Sequence, residues 1–508
     1  MNSRDRKRET VIKIFHGEEA IRLLHEESLQ RKWSSLVQQF ENSSIFQSPD
    51  FVLPWYLEHQ NEFSPLLILA FSSDQLVGIL TLARKLDHTL GKPCKMLFGA
   101  GNNYALYQTW LVLPDFREAF WELGIKQIFK KFPGCSINLK SLPNLDDYVF
   151  LSQHKDFKSM TALEKSHNPV LDFEEENFKR IIGKRHFRSK FNRLNRAGEV
   201  QFKKLESPDE LSSAFGDIFL FYNLRHGAAF NKIPFPNGNI DKQLFLEWFK
   251  KGVLHASILY LDGDLIGSVI MLDDFGKTAH LAGLITYSPS HAKFSPGLVH
   301  LYLLAQMLKE ESFQNLKLSP GYDVYKERFS NTHEEIYELL ISASLYQIWR
   351  RKLRGNWRRF LLKKGIRPME IGVQISKKSA TLKNKWFNLK NHLFTRKLSQ
   401  TQIFEKLNQF EEKDFFESKI QYHFNELSTL LMVDDFTFEL SRWEFLEDSL
   451  KRLEAGYHFV TLVKGNNLLA CIWTEKNFKN NSVLKDILKG KEVLTGFFSK
   501  NLLIAIKK

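Results

Sequence analysis

The hydrophobic pattern of this 508-residue chain switches repeatedly between the period of a helix and the period of a strand. In the N-terminal third, apolar residues at helical spacing predict helices over 17–40 and just after the turn-like FQSPDF at 46–51. The apolar run at 65–85 is interrupted by Ser-Ser-Asp, which predicts two strands joined by a turn. Residues 115–131 predict another helix, and SINLKSL a further strand. This third is therefore predicted to be a mixed α/β unit.

A second set of elements begins near Pro169 and includes an antiparallel meander. A basic helix is predicted to end at Gly198, a suitable C-cap residue. Asp262-Gly263-Asp264 is typical of a hairpin turn between two strands of the meander. The predicted elements are helix 177–198, strand 200–205, helices 208–226 and 241–251, strands 254–261, 265–273 and 278–285, helix 298–311, strand 315–320 and loop 321–329. The order of these elements again predicts an α/β unit.

The formal net charge of +14 is concentrated in one part of the chain. Between Leu339 and Phe404 there are sixteen Lys and Arg but a single acidic residue, Glu370, so the remainder is close to neutral. Within residues 346–400, called the basic segment here, aromatic and aliphatic residues recur at helical spacing among the cations. This pattern predicts a basic amphipathic helix, so an anionic partner is expected to meet the basic segment first.

The remaining composition excludes several classes of protein. No stretch has the length and apolarity of a transmembrane helix, and the charged N-terminus lacks a secretory signal. The three cysteines, Cys94, Cys135 and Cys471, are far apart and lack metal-ligand spacing. We therefore expect a reducing, cytoplasmic compartment, no disulfide framework and no bound metal.

Several motifs between residues 170 and 345 occur in a familiar order. They are RHFRSKFNRLNRAG at 185–198, FYNLRHG at 221–227, LDGDLIGSVIML at 261–272, FSPGLVHLYLLAQML at 294–308 and LKLSPGYDVYKERFS at 316–330. In this order and spacing, the chain resembles the CelD-like (BcsL-type) branch of the GNAT acyltransferases, which is close to the FemABX peptidyltransferases. It departs from that pattern at Leu318-Ser319-Pro320, where an Asp-Phe-Gly type strand end is usual, and at Tyr104-Ala105-Leu106-Tyr107, where an Asp-Tyr is usual.

The resemblance implies an α/β (α+β) fold of two GNAT-like units in tandem, each with a mixed, mostly antiparallel sheet flanked by helices. We predict an N-terminal GNAT-like unit at 1–165, a CelD-like acyltransferase unit at 166–345, the basic amphipathic linker at 346–400 and a C-terminal α/β unit at 401–508. The C-terminal unit is expected to have a structural or specificity role.

The implied activity is transfer of an acyl group from acetyl-CoA or another acyl-CoA to an amine or hydroxyl of a sugar, polysaccharide or cell-envelope precursor. No permanently bound cofactor is expected, since the acyl-CoA is a co-substrate. Two alternatives stay open: an aminoacyl-tRNA-dependent peptidyltransferase of the FemABX kind, and a non-catalytic GNAT-like scaffold that binds a membrane or polymer.

The helix start at Ser295, Pro296, Gly297 and Leu298 is the predicted donor-binding site. Serine as N-cap and proline at the first helical position also serve an ordinary helix start. The resemblance favours a functional interpretation, in which the free N–H groups and the positive end of the helix dipole receive the CoA pyrophosphate.

The catalytic candidates are Tyr325, Lys326 and Asp323, which the sequence places in a loop. Tyr325 is assigned the proton donor to the departing thiolate, and Lys326 a contact with the oxyanion or donor phosphate. Asp323 is a second candidate base. The alternative is structural: a buried tyrosine, a solvated lysine, and an aspartate that pairs with a neighbouring cation.

Four residues are assigned to the acceptor. Arg225 is predicted to clamp a phosphate or carboxylate. His226 is interpreted as a helix C-terminal cap, because Gly227 follows, with a general base as the alternative. Arg185 and Arg188 lie on one side of the basic helix and are predicted either to hold an anionic acceptor or to form a solvated face.

The basic segment is predicted to contact either an anionic membrane surface or tRNA. The structural alternative is a solvated helix that packs its tryptophan stripe on the rest of the protein. The expected location is the cytoplasm, with peripheral attachment to the inner face of the membrane as the extension that this segment suggests.

Overall fold

The computed structural model describes residues 10–40, 43–86, 95–143, 150–151, 153–236, 239–321, 323–392, 402–403, 419–434, 440–475, 493–499 and 502. Within these ranges, no helix combines the length and the apolarity needed to cross a bilayer. Cys94 and the end of the basic segment, 393–400, lie outside the described residues. Cys135 and Cys471 are buried thiols.

Local signals explain the elements of the N-terminal half. The Ser48 side chain accepts a hydrogen bond from the Phe51 amide and, with Pro49 at the first position, starts a helix. The elements are β1 (Val11–His16), α1 (Glu18–Leu24), α2 (Glu27–Gln38), α3 (Pro49–Glu58), β2 (Phe63–Ser72), β3 (Gln75–Lys85), β4 (Met96–Gly99), β5 (Leu111–Val112), α4 (Arg117–Lys131), β6 (Ser136–Leu142) and β7 (Thr161–Asp172).

The second half contains the predicted meander, whose hairpin turn has positive φ angles at Asp262 (52°) and Gly263 (86°). Its elements are α5 (Glu175–Ile182), α6 (Arg185–Asn195), β8 (Val200–Lys204), α7 (Pro208–Phe230), α8 (Asn239–Lys250), β9 (Leu254–Leu261), β10 (Asp264–Asp274), β11 (Thr278–Tyr287), α9 (Pro296–Glu310), β12 (Asn315–Lys317), α10 (Val324–Phe329) and β13 (Thr332–Ser342).

These strands form one large sheet in the order β1-β2-β3-β4-β6-β13-β7-β12-β11-β10-β9-β8, with β5 paired to β3. Among the described strands the pairs β4–β6 and β11–β12 are parallel, and the other pairs of this sheet are antiparallel. Helix α4 connects the first parallel pair and α9 connects the second, so the two halves of the sheet have corresponding connections. The predicted fold class, a mixed and mostly antiparallel α/β arrangement flanked by helices, is confirmed.

The two halves exchange a strand. Strand β13 follows the second half in sequence but pairs with β6 of the first, along Ser342↔Ser136 to Tyr337↔Leu142. Strand β7 follows the first half but pairs with β12 of the second. The predicted boundary between 165 and 166 falls inside β7. The two predicted units, 1–165 and 166–345, share one sheet and one hydrophobic core cluster, and the division between them stays a prediction.

Three predicted elements differ from those observed. The helix expected over 17–40 is two helices, α1 and α2, separated by His25 and Glu26. The basic helix expected over 177–198 is broken at Gly183 into α5 and α6. The loop expected at 321–329 contains the short helix α10. These differences are local breaks or a short helix, which depend on neighbouring elements that the sequence pattern does not reveal.

The basic segment forms two helices, and a smaller sheet follows it. These elements are α11 (Leu345–Lys363), α12 (Pro368–His392), β14 (Gln421–Phe424), α13 (Leu427–Leu430), α14 (Arg442–Glu454), β15 (His458–Lys464), β16 (Asn467–Thr474) and β17 (Val493–Phe498). The small sheet has the order β14-β15-β16-β17. Helix α14 packs on α7, where the Trp443 indole donates to the Ala228 carbonyl at 2.9 Å and Leu446 approaches Gly227.

Candidate functional site

The two strands of the second parallel pair diverge. They are paired from Thr278↔Asn315 to His280↔Lys317. Strand β11 then continues to Tyr287 paired with β10 on its other edge, while the chain leaves β12 towards α10. Because no described strand pairs with this part of β11 on the side of β12, side chains from both faces of the sheet can meet in the gap. The gap lies beside the start of α9, the helix that connects the two strands.

A cavity of about 240 Å³ occupies the opening. It is lined by Arg225, Ile285, Tyr287, Ala292, Ser295, Pro296, Gly297, Leu298, Leu301 and Tyr325. The structure thus brings together three groups of predicted site residues: the whole helix start, the acceptor candidate Arg225 and the catalytic candidate Tyr325. These residues come from α7, the start of α9 and α10, which are far apart in sequence, so only the tertiary packing makes them neighbours.

The start of α9 is not capped in the ordinary way. Ser295 has φ 57° and ψ 50°, a left-handed conformation that costs a serine on the order of 1–3 kcal/mol. Its side chain makes no capping hydrogen bond, so the simple N-cap interpretation is wrong. The Ser295 hydroxyl instead accepts a hydrogen bond at 2.6 Å from the Lys190 ammonium of α6. Pro296 has no N–H, and the Leu298 and Val299 amides donate to the Ser295 carbonyl at 3.0 and 3.2 Å, so the Gly297 amide is the first-turn donor left without a partner among the described residues. This amide suits an anion.

Lys190 is a site residue that the sequence pattern did not single out. It is half-buried, and burial, followed by the charges of Arg193 and Arg328, lowers its pKa. His186 lies in the same cationic group, because Lys184, Arg328 and Lys190 all lower its pKa in addition to burial. Positive charge from α6 and α10 thus converges near the N-terminus of α9. The signal in the sequence was the dense basic character of 184–196, which did not say which cation turns inward.

Arg225 closes one side of the cavity. Its guanidinium donates to the Ile285 carbonyl at 3.4 Å and lies 5.0 Å from the centre of the Tyr287 ring. It forms no ion pair with a carboxylate of the described residues, so its charge is available to a ligand. Burial raises the pKa of Tyr287, Arg225 opposes this, and the Glu454 carboxylate of α14 reinforces it by interacting with the hydroxyl. The C-terminal unit therefore reaches the rim of the cavity.

Tyr325 is half-buried on α10 with its ring against the core beneath the sheet. Burial, and after it the nearby Asp323 carboxylate, raises its pKa to about 12, although Arg225 acts in the opposite direction. The hydroxyl is therefore protonated throughout the physiological range and can donate a hydrogen bond into the cavity.

Unlike Tyr325, the neighbouring residues Lys326 and Asp323 lie outside the cavity lining. Lys326 is buried (7% exposed), and its ammonium donates to the Ser319 carbonyl at 3.2 Å and lies 3.5 Å from the Asp323 carboxylate. Burial lowers the pKa of Lys326. Neither residue is among those that line the cavity. The geometry favours a positioning role, in which Lys326 holds the turn from Ser319 to Asp323 that carries α10. A direct contact with substrate stays a prediction for both.

His226 is not at the end of its helix. Helix α7 continues to Phe230 and ends at Asn231, which has φ 53°, so the cap interpretation is wrong. Gly227 serves a different purpose: a Cβ there would lie 2.8 Å from the Leu446 side chain. His226 stacks on Tyr222 with ring centroids 4.1 Å apart, and burial, then Arg225, lowers its pKa to about 4. It is outside the cavity lining and a poor base at neutral pH.

Arg185 and Arg188 are exposed at the start of α6. The structure places them on the same helix as Lys190 but does not bring them into the cavity lining. Their proposed role with an anionic acceptor stays a prediction.

The two tyrosines that replace the usual Asp-Tyr are held in internal networks. The Tyr104 hydroxyl donates to Asp241 at 2.5 Å. The Tyr107 hydroxyl donates to Glu334 and accepts from Lys317 at 2.8 Å, and Lys317 also pairs with Glu334 at 3.0 Å. The Tyr104 bond joins the N-terminal half to α8, and the Tyr107 bonds join it to β12 and β13, so both tyrosines have structural partners.

One group of described residues has donor atoms close enough to hold a metal ion: His167, Glu327 and His333, whose donor atoms lie within 4.8 Å of one another. Glu327 and His333 are exposed and His167 is half-buried, and the two imidazoles already contact the Glu327 carboxylate at 3.6 and 2.9 Å. None of these three residues is among those that line the cavity.

Comparison with known proteins identifies one part of the chain. Residues 183–327 match a family model described as "Acetyltransferase (GNAT) domain". No curated protein matches the chain.

Solved structures with similar chains include FemX, at 10% identity with a TM-score of 0.45, covering 63% of this chain and 97% of that one. L-PGS from Bacillus licheniformis matches at 11% identity with a TM-score of 0.40, covering 64% and 95%. A tandem GNAT protein from the clavulanic acid biosynthesis pathway matches at 11% identity with a TM-score of 0.40, covering 66% and 99%. The segment that is similar to this family, residues 183–327, contains every residue that lines the cavity.

Proposed function

We propose that the protein is an acyltransferase that moves an acyl group from acyl-CoA to an amine or hydroxyl acceptor at the cavity between β11 and α10. The observation that carries the proposal is the meeting of the α9 N-terminus, Arg225 and Tyr325 around one opening, inside the segment that matches the acetyltransferase domain. The acceptor class, a sugar, polysaccharide or cell-envelope precursor, follows only from the resemblance of the motifs, as does a cytoplasmic location.

The donor site is proposed at the start of α9. A pyrophosphate there would accept a hydrogen bond from the Gly297 amide and would lie at the positive end of the helix dipole. Lys190, only 2.6 Å from the Ser295 hydroxyl, adds a cation beside the same helix start. The apolar wall formed by Ile285 and Leu301 suits the uncharged arm that carries the thioester.

The chemical step needs two charges to be stabilised. The acceptor nitrogen or oxygen attacks the thioester carbonyl carbon, the carbonyl oxygen becomes an oxyanion, and the C–S bond then breaks to release a thiolate. We assign the oxyanion to the Arg225 guanidinium, which has no carboxylate partner among the described residues. We assign a hydrogen bond to the departing sulfur to Tyr325.

The acceptor's proton has no obvious destination within the cavity. None of the lining residues is a carboxylate or an imidazole. An amine acceptor is therefore expected to react from its neutral form and to give its proton to water, or to Glu454 through the Tyr287 hydroxyl at the rim. The measured rate with an amine should then rise with pH up to the pKa of the acceptor itself.

Donor binding tests the proposal directly. Full-length protein is titrated with CoA, acetyl-CoA and an aminoacyl-tRNA, and binding is followed by calorimetry and by the shift in melting temperature. We expect CoA and acetyl-CoA to bind and aminoacyl-tRNA not to bind at the same site. Release of free thiol from acetyl-CoA, measured with a panel of amino sugars and other amines, then identifies a working acceptor.

A pair of glycine variants adds a matched control. A Cβ at Gly297 would lie 3.4 Å from Tyr287 and point into the cavity, whereas a Cβ at Gly216, also helical, meets nothing within 4 Å. Gly297→Val should weaken CoA binding about tenfold or more, and Gly216→Val should leave it unchanged. If the protein binds aminoacyl-tRNA and not CoA, the proposed donor is wrong and the aminoacyl-tRNA alternative replaces it. If the protein binds neither, the proposed acyltransferase activity is wrong and the non-catalytic scaffold remains.

A further inference from the structure

Helix α11 of the basic segment is fixed to the sheet by one face. Ile348 is buried (4% exposed) with Ala162 and Leu340 of β7 and β13. Gly355 is buried, and a Cβ there would be in ordinary van der Waals contact with Glu164 at 3.6 Å, so this position faces β7. This anchored face determines which residues of α11 point outward.

Two arginines belong to the anchored face and not to a partner surface. The Arg351 guanidinium contacts Glu164 at 3.2 Å and also pairs with Glu338. Arg358 contacts the same Glu164 carboxylate at 3.3 Å. The charges of these arginines are therefore used inside the protein, and they lock the rotation of the helix about its own axis.

The opposite face is an apolar stripe that no described residue covers. Trp349, Leu353, Trp357 and Phe360 follow one another at intervals of four, four and three residues, which places them on one side of a helix. They are 59%, 46%, 59% and 51% exposed. Leu345 and Tyr346 extend the stripe at the start of the helix, at 66% and 64% exposure. The interpretation of this stripe as one that packs on the protein is therefore wrong for the described residues.

Cations border the stripe on both sides. At about 100° per residue, Arg350 and Arg354 fall along one edge, and Lys352, Arg359 and Lys363 fall along the other. All five are exposed. The acidic residue of this region, Glu370, is paired with Arg367 at 3.4 Å. The helix thus presents aromatic and aliphatic side chains in the centre and positive charge at the margins.

Helix α12 has a similar division. Its Lys377 pairs with Glu447, and Thr381 donates to Glu444 at 3.0 Å, so one face is attached to α14. Ile375 and Leu382, seven residues apart, are 64% and 65% exposed. The apolar exposure therefore continues beyond α11 in the same basic segment.

We propose that the outward face of α11 docks the protein on an anionic lipid bilayer. Tryptophan, phenylalanine and leucine in the centre can enter the boundary between head groups and acyl chains, while the bordering cations meet anionic head groups. An RNA backbone would instead be met best by cations at the most exposed line of the helix, where this helix has Trp and Phe. Because Arg351 and Arg358 fix the rotation of α11, docking would hold the cavity at one orientation to the membrane. The proposal is independent of the chemistry proposed for the cavity.

Vesicle binding tests the docking surface. Full-length protein is mixed with vesicles of phosphatidylcholine alone or of phosphatidylcholine with phosphatidylglycerol, and bound protein is measured by flotation at low and high salt. We expect binding to the anionic vesicles, weaker binding at high salt, and little binding to the neutral vesicles. Equal binding to both kinds of vesicle, or binding to neither, would overturn the proposal.

Two variants that remove exposed aromatic side chains distinguish docking through α11 from nonspecific hydrophobic adsorption to vesicles. Trp349→Ser with Trp357→Ser should weaken binding to anionic vesicles about tenfold or more, because each ring removes a large apolar contact. Phe275→Ser is the matched control, since Phe275 is also 50% exposed but lies in the β10–β11 turn. It should bind like the native protein. Melting curves of both variants should match the native curve, because the altered side chains are exposed.

The same variants decide between a membrane and a nucleic acid. Binding of the native protein to a labelled tRNA that requires Trp349 and Trp357, with no binding to anionic vesicles, would assign the surface to RNA and refute docking on lipid. An equal loss of vesicle binding in Phe275→Ser would show that the stripe on α11 is not the docking surface.

Discussion

Replacing Tyr325 by phenylalanine removes a single hydroxyl from the cavity wall. The ring packs against the core formed beneath the sheet, and phenylalanine keeps that packing. The hydroxyl is the part that can reach a ligand, since Tyr325 lines the cavity. The variant therefore separates what the hydroxyl does from what the ring does.

The expected fall in kcat follows from comparing the pKa of the Tyr325 hydroxyl with that of the departing thiol. The pKa of Tyr325 is raised to about 12 by burial and by Asp323, whereas an ordinary thiol has a pKa of about 8.5. Complete proton transfer from Tyr325 to a departing thiolate would be uphill by about 5 kcal/mol. The hydroxyl is therefore expected to donate a hydrogen bond to the sulfur and to keep its proton. Such a bond to a charged group contributes about 1.5–3 kcal/mol, so Tyr325→Phe should lower kcat about 10- to 150-fold.

The assay is thiol release from acetyl-CoA under saturating donor, with the best acceptor from the amine panel. Tyr302→Phe is a suitable control because Tyr302 is buried in the same core cluster but is not part of the cavity lining. That variant should keep its native kcat, and both variants should bind CoA normally. An unchanged kcat in Tyr325→Phe would refute a role for the hydroxyl, and a fall much beyond 1000-fold would refute the hydrogen-bond argument in favour of full proton donation.

Three further predictions test the donor site, the anchoring of α11 and the buried histidines. Lys190→Met should weaken CoA binding about tenfold in calorimetry, because it removes the cation beside the start of α9. Glu164→Ala should lower the free energy of unfolding by about 2 kcal/mol in urea, since it leaves the half-buried Arg351 short of a partner. Glu335→Ala, which breaks an exposed ion pair with Lys165, should leave the free energy of unfolding almost unchanged. Burial lowers the pKa of His300 to about 3, so below about pH 6.5 the unfolded chain takes up a proton that the folded one excludes. Stability should therefore fall with falling pH between about 6.5 and 3, with a slope of about 1.4 kcal/mol per pH unit from this residue, and His300→Gln should remove that part of the slope in urea titrations at several pH values.

Much of the local structure could be predicted because its causes lie within a few residues. The hairpin at Asp262-Gly263 follows from two residues that tolerate positive φ, and the strands around it from their apolar runs. The start of α9 follows from Pro296 at its first position. Errors came where a break depends on neighbours: Gly183 ends α5 early, and α10 forms where a loop was expected.

The candidate site was predictable as a set of residue types but not as an arrangement. The basic character of the 184–196 region is plain in the sequence, yet only the packing of α6 against α9 shows that Lys190 turns towards Ser295. Lys326 and Tyr325 are adjacent in sequence, but only Tyr325 lines the cavity, since the Lys326 ammonium is held by Ser319 and Asp323. Adjacent side chains on a helix point about 100° apart. The sequence does not reveal which of the two faces the cavity.

By itself the sequence determined the fold class, the order of the motifs and the concentration of positive charge in the basic segment, because these depend on composition and on the periods of 2 and 3.6 residues. Only the tertiary structure decided that β13 pairs with β6, that Arg351 and Arg358 face the sheet while Trp349 and Trp357 face outward, and that α14 reaches the cavity rim. The physical reason is that periodicity shows which residues share a face, whereas the partner of that face is chosen by contacts between segments far apart in the chain.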